Sequence, residues 1–186
     1  MHRRCLYEQT VAEELALHQR SSSSSGGDND SRVVEVTENF VALVPYASSG
    51  PYMIVILPRY HATGAPEEER GGLDSSDFTT TTDDLIDECA TILQSCLKRL
   101  HVLLEPDFNL VVQTAPVAQR GVQSAMRASA FFRWHIRVTP RLGAGAMAGF
   151  ELGSGFFSNS HMPEDDAADL RDVMPPLLSS RGKGND

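Results

Sequence analysis

Cysteine is scarce in this chain: three in 186 residues, an odd number that supplies no disulfide framework. Cys89 and Cys96 are seven apart in a segment that reads as a helix, so their α-carbons stand roughly 10 Å apart, too far to bridge. A reducing compartment, the cytoplasm or an organelle stroma, is the expected setting. Aromatic residues make up only 7% and tryptophan occurs once. The hydrophobic share of 41% allows one core and leaves room for polar insertions. Long apolar runs are missing as well, the longest being Tyr52–Leu57, far short of a membrane span. Positive charge is in deficit: 16 Lys+Arg stand against 25 Asp+Glu, a formal net charge of −9. Binders of nucleic acid or anionic membrane need a cationic surface to displace counterions, so neither is an expected partner. The first twenty residues carry basic groups but no apolar stretch of signal-peptide length, and Glu8, Glu13 and Glu14 sit badly in a mitochondrial presequence.

What is present is one ordinary domain's worth of chain with polar interruptions. Residues 1–20 read as a lead-in containing Cys5, and 21–30 (SSSSSGGDND) as a flexible low-complexity linker. The domain proper is expected over 31–174, with insertion loops at about 62–82 and 118–130 and a disordered tail from 175 to 186. Val33–Val36 and Phe40–Val44 are β-branched and apolar with a short break between them, which suits a hairpin, and Tyr52–Leu57 follows as a third strand. From Asp83 to Leu104, apolar residues recur at helical spacing, acidic residues cluster at the start and Lys98, Arg99 and His101 near the end, as the helix dipole favours. Phe108–Val112 and Phe131–Val138 read as two more strands, and Pro163 opens a short helix to about Arg171. The expected class is α+β: an antiparallel sheet with one long packed helix and a short C-terminal helix.

In the last strand, period two places Phe132, Trp134, Ile136 and Val138 on one face and Phe131, Arg133, His135 and Arg137 on the other. Arginines suit bidentate phosphate contacts, and a histidine can be nucleophile, acid–base group or metal ligand. That cationic row is either a phosphate or nucleotide site on an open sheet face or a solvated strand face; the pattern leaves both open.

Several blocks in fixed order give the chain a likeness. VVEVTENFVALVPYA (33–47), PYMIVILPRYH (51–61), FNLVVQTAPV (108–117), WHIRVTPRL (134–142) and GFELGSGFFSN (149–159), followed by the Pro163–Arg171 helix, resemble the C-terminal half of the galactose-1-phosphate uridylyltransferase family, a branch of the histidine-triad superfamily. They are also similar to plant-type ADP-glucose phosphorylases. The resemblance implies a histidine-triad-like half-domain and a nucleotidyltransferase of nucleotide-sugar and galactose metabolism. Such enzymes work through a covalent nucleotidyl-histidine that divides one phosphoryl exchange into two displacements.

The departures from the family pattern are specific. The family's nucleophile lies in a His-Pro-His of the N-terminal half, and these 186 residues contain none, so no catalytic residue is assigned and the chain alone is expected to be inactive. Where some members place a second metal site, this sequence has Gln113, His135 and Arg137. Cys5 matches the first cysteine of a family Cys-x-x-Cys whose partner position is Glu8. His135 and Cys5 are thus the remaining metal candidates of a degenerate zinc site, and no cofactor is expected. The resemblance gives Phe150 and Glu151 a sugar-contact role; Gly149, Gly153 and Gly155 could instead mark a bent strand or bulge with Phe150 packing. Arg133, His135 and Arg137 would support a phosphate or a subunit contact. Expected partners are a nucleotide sugar or sugar phosphate and a second copy or a separate N-terminal half. The competing reading is a stand-alone, non-catalytic domain that binds a nucleotide or a partner.

Overall fold

A computed structural model describes residues 6–23, 30–59, 76–115, 132–142 and 149–173. The elements run α1 (Leu6–Ser23), β1 (Val33–Val36), β2 (Phe40–Leu43), β3 (Ile54–Pro58), α2 (Asp83–Leu104), β4 (Phe108–Gln113), β5 (His135–Pro140), α3 (Gly149–Ser154) and α4 (Pro163–Asp172), with a single 3-10 turn at Phe78–Thr80 before α2. The five strands form one antiparallel sheet in the order β1-β2-β3-β5-β4. The last strand in sequence is therefore inserted between β3 and β4. The α+β class and the antiparallel sheet read from the sequence are what the structure has.

Both faces of β1–β3 are covered, which is why those strands read as continuous apolar runs rather than as alternating ones. On one face, Val34, Phe40, Ala42, Ile54, Ile56, Trp134, Ile136 and Val138 meet the buried stripe of α2 (Cys89, Ile92, Cys96, Leu100) and Ala167 and Leu170 of α4. Burial pushes the Cys89 thiol up to about 11 and the Cys96 thiol to about 12, so both stay protonated and serve as small apolar groups. α2 ends where Glu105 turns to φ 45° and its N–H donates to His101 O at 3.0 Å.

On the opposite face, Val33, Val41, Leu43, Val55 and Leu57 meet Val11, with Tyr7 and Leu15 packed beside them. Those three residues of α1 are spaced by four and so share one side of the helix. The helix fills a stretch read from the sequence as a lead-in, and it continues into the serine tract as far as Ser23. Two part-buried arginines join the start of β1 to the helices around it. Arg32, just before β1, pairs with Glu14 of α1 and with Glu164 of α4, and Arg171 of α4 donates to Ser31 O at 2.8 Å and Val33 O at 2.5 Å.

Two local expectations are corrected. The Gly149–Ser154 stretch is a helix, not a bent strand or bulge; Gly155, at φ +72°, closes it by donating its N–H to Glu151 O at 2.9 Å. The fifth strand starts at His135 rather than Phe131, and the non-strand backbone before it turns Phe132 towards Tyr7 and His135 instead of into the α2 core.

Candidate functional site

His135 and Arg137 lie on the α1 side of the sheet, because Arg137 pairs with Val55 of β3 and Val111 of β4 while His135 pairs with Gln113. This is not an open face at Arg133 and His135. Arg133 is 0% exposed and His135 3%. Arg133 is held by the backbone, its guanidinium donating to Pro58 O at 2.8 Å and Arg59 O at 3.0 Å, which ties the lead-in of β5 to the end of β3. The cationic row is thus divided: Arg133 is built into the sheet, His135 is enclosed, and only Arg137 is half-exposed.

The hydrogen bonds of His135 determine its state. Nδ1 lies 3.0 Å from Arg133 O and Nε2 lies 2.7 Å from Oε1 of Gln113. A carbonyl only accepts, so Nδ1 must carry a proton. Burial, with the Arg137 charge adding to it, holds the His135 pKa below its ordinary value against the opposing bond to Arg133 O, so the ring is neutral at pH 7. Nε2 is then a bare acceptor, and the Gln113 amide must turn its NH2 group towards it. Tyr7 and Phe132 flank the ring at 5.4 and 5.8 Å between centroids.

The sign of the resulting pH effect follows by linkage. The folded protein binds the His135 proton less readily than the unfolded chain, so this stability is full above the unfolded value near 6.5 and is lost as pH falls below it, levelling off under the folded pKa. His18, lowered by burial and then by Arg171, acts in the same direction. In urea melts between pH 7.5 and 5, the native protein is expected to lose stability on acidification with a slope of at most about 1.4 kcal/mol per pH unit per site, and His135→Asn to show a flatter profile. Parallel profiles would contradict the neutral ring.

A zinc ion does not fit these residues. The Nε2 lone pair that would bind it is engaged by Gln113, the Arg137 cation is close by on the same strand, and no group of three or more His, Cys, Asp and Glu is placed to hold a metal among the described residues. Cys5 lies outside the described residues.

Phe150 and Glu151 are on α3, on a different element from the arginine–histidine row. Phe150 is 63% exposed; Glu151 is buried, with Ser158 donating to its Oε1 at 2.6 Å. Next to them Leu152, Phe156, Phe157 and Met162 are all exposed, so the 149–162 stretch presents an apolar surface around one enclosed carboxylate. The sequence reading missed Tyr7, whose spacing of four from Val11 and Leu15 was the available signal. It also missed Asp166, fully buried, which accepts from Tyr52 N at 2.7 Å and pairs with His161 Nδ1 at 2.8 Å.

The chain is an α+β domain whose five-stranded antiparallel sheet, with a long helix on one face, has the fold seen in histidine-triad structures. Within that class, the chain resembles the galactose-1-phosphate uridylyltransferase family and ADP-glucose phosphorylase, as its sequence blocks imply. It is 28% identical over 145 residues to ADP-glucose phosphorylase of Arabidopsis thaliana, a match over 76% of this chain and 35% of that protein. The crystal structure of an ADP-glucose phosphorylase from the same plant with bound ADP-glucose superposes with a TM-score of 0.63 at 24% identity, covering 86% of this chain and 43% of that one. A GALT-like protein of Arabidopsis thaliana gives 0.63 at 22%, over 88% of this chain and 49% of that one. A zinc-bound histidine triad family protein from Mycobacterium smegmatis gives 0.52 at 15%, over 90% of both chains. No family model matches the chain. The chain spans about a third of the length of the curated relative and under half of each of the two plant structures. Among the described residues, no helix is long and apolar enough to cross a membrane.

Proposed function

We propose that this chain is a hexose-1-phosphate uridylyltransferase-like nucleotidyltransferase domain, of the C-terminal-half type, that acts in nucleotide-sugar metabolism through a second half paired along β4. The observation that carries this reading is the β4 edge. Among the described residues it is an edge strand that bonds only to β5, and Phe108, Leu110, Val111 and Val112 are 41–49% exposed. An apolar edge that offers unpaired backbone groups along one side is a template for another strand. The plant relatives carry about twice as much chain, which is consistent with a second half at that edge. The nucleophilic histidine would come from outside these residues, since they contain no His-Pro-His. Glu151 suits a sugar hydroxyl as an acceptor, with Phe150 beside it.

A second reading, a non-catalytic nucleotide- or partner-binding domain, is favoured by one observation: Arg133 and His135 spend their polar atoms on Pro58, Arg59 and Gln113. Two experiments separate the readings. In sedimentation equilibrium at concentrations up to about 100 µM, the chain is expected to self-associate, and Val111→Lys to weaken association at least tenfold. A purely monomeric chain would remove the second copy as the occupant of the edge. Thermal-shift titration with UDP-glucose, ADP-glucose, galactose-1-phosphate and glucose-1-phosphate is expected to show stabilisation that Glu151→Ala abolishes. Stabilisation indifferent to Glu151 would favour the second reading.

A further inference from the structure

A cavity of about 210 Å³ lies between the first turns of α1 and the sheet. Its walls include Val11, Leu43, Val55 and Leu57, with Tyr7 and Thr10 from α1 at its side. The polar end is formed by His135 and Arg137. No carboxylate lines it, although the chain has 25 acidic residues against 16 basic ones, and Arg137 is its one fixed charge. Among the described residues Arg137 makes no hydrogen bond or ion pair, and its Nε is buried without a partner. A half-exposed guanidinium without an internal anionic partner, beside an apolar cavity, is placed to meet a ligand's oxyanion.

The volume restricts what that anion belongs to. At about 210 Å³ the cavity is smaller than the roughly 300–1,000 Å³ of ordinary ligand pockets, which suits a compact body of about one ring. We propose that this cavity binds a small organic oxyanion, a single-ring or similarly compact apolar body whose carboxylate or phosphate meets Arg137. The body fills the space between α1 and β2–β3, and the ligand stabilises α1 on the sheet. The site is separate from α3, so it operates whether or not the nucleotide-sugar reading holds.

The experiment is calorimetric titration of the full chain with benzoate, phenyl phosphate, benzamide and inorganic phosphate. At least one of the first two is expected to bind no less than tenfold more tightly than benzamide, which lacks the charge, and than phosphate, which lacks the body. Which of the two wins identifies the oxyanion. Arg137→Gln should remove that tenfold advantage while leaving the melting temperature close to native, because Arg137 has no internal partner to lose. Thr10→Trp, at an exposed position beside the cavity, should block both charged ligands. Equal affinity for benzoate, phenyl phosphate and benzamide, no binding of either charged ligand, or binding unchanged in Arg137→Gln would overturn the proposal. UDP-glucose is expected not to displace the bound aromatic anion; competition would make the cavity part of the nucleotide site and sink the idea of a separate one.

Discussion

Arg133→Met is expected to cost about 3 kcal/mol of folding stability, and Arg137→Gln, four residues further on in β5, less than about 0.5 kcal/mol. The contrast comes from partners, not from charge. Arg133 is wholly enclosed and its guanidinium donates to two backbone carbonyls, Pro58 O and Arg59 O, that emerge where β3 ends. Methionine fills much the same volume but takes that donor from both part-buried carbonyls, and a hydrogen bond from a charged group contributes about 1.5–3 kcal/mol. Urea denaturation with a linear extrapolation measures both values. If Arg133→Met proved neutral, the arginine would be free for a ligand and the phosphate-site reading of the whole row would revive.

Asp166→Ala is the other large effect, again expected at about 3 kcal/mol. The carboxylate is 0% exposed and binds two segments distant in sequence: Tyr52 N at 2.7 Å and His161 Nδ1 at 2.8 Å. Tyr52 has φ 56°, a left-handed conformation unusual for a large side chain, and the buried acceptor holds it there. Alanine would leave the Tyr52 N–H buried without an acceptor and release the turn into β3. Asp169→Ala provides the control: it removes only the 2.9 Å bond from the Tyr52 hydroxyl, at an exposed carboxylate, and is expected to cost about 1 kcal/mol or less. That hydroxyl is pushed up to about 12, first by burial and then by its bond to Asp169, so it donates throughout the working pH range. Equal costs for the two variants would show that Asp166 has no special hold on the turn.

The parts of this fold that could be read from sequence have a strong period or an order of several blocks. α2 is legible to the residue because its apolar stripe repeats through six turns and its ends carry charges of the appropriate sign. α1 was not legible, since only Tyr7, Val11 and Leu15 of its stripe touch the sheet, within an otherwise polar run that leads into serines. α3 was hidden by its own composition: Gly149 and Gly153 lower helix propensity, and the segment is only six residues long. For the site, period two put Arg133, His135 and Arg137 on a common row. It could not say what covers that row, because α1 packs against it from more than a hundred residues upstream. The pairing of Gln113 with His135 depends on the register between β4 and β5, which single-strand patterns do not encode.

The arrangement of the chain in the sheet has a consequence for its synthesis. β5 lies between β3 and β4, and Arg171 supplies hydrogen bonds to the carbonyls at the start of β1, 138 and 140 positions earlier in sequence. As the polypeptide leaves the ribosome, the β1–β2–β3 meander can form promptly, but β4 emerges with no neighbour until β5 arrives and fits between them. The first strand is not locked until nearly all of the domain has been translated. Contacts of such long sequence separation are slow to close, so the sheet is expected to be completed only after α4 has emerged. During that interval the bare hydrophobic strand Phe108–Val112 is the segment a holding chaperone would engage, and slowed elongation after it would lengthen the exposure.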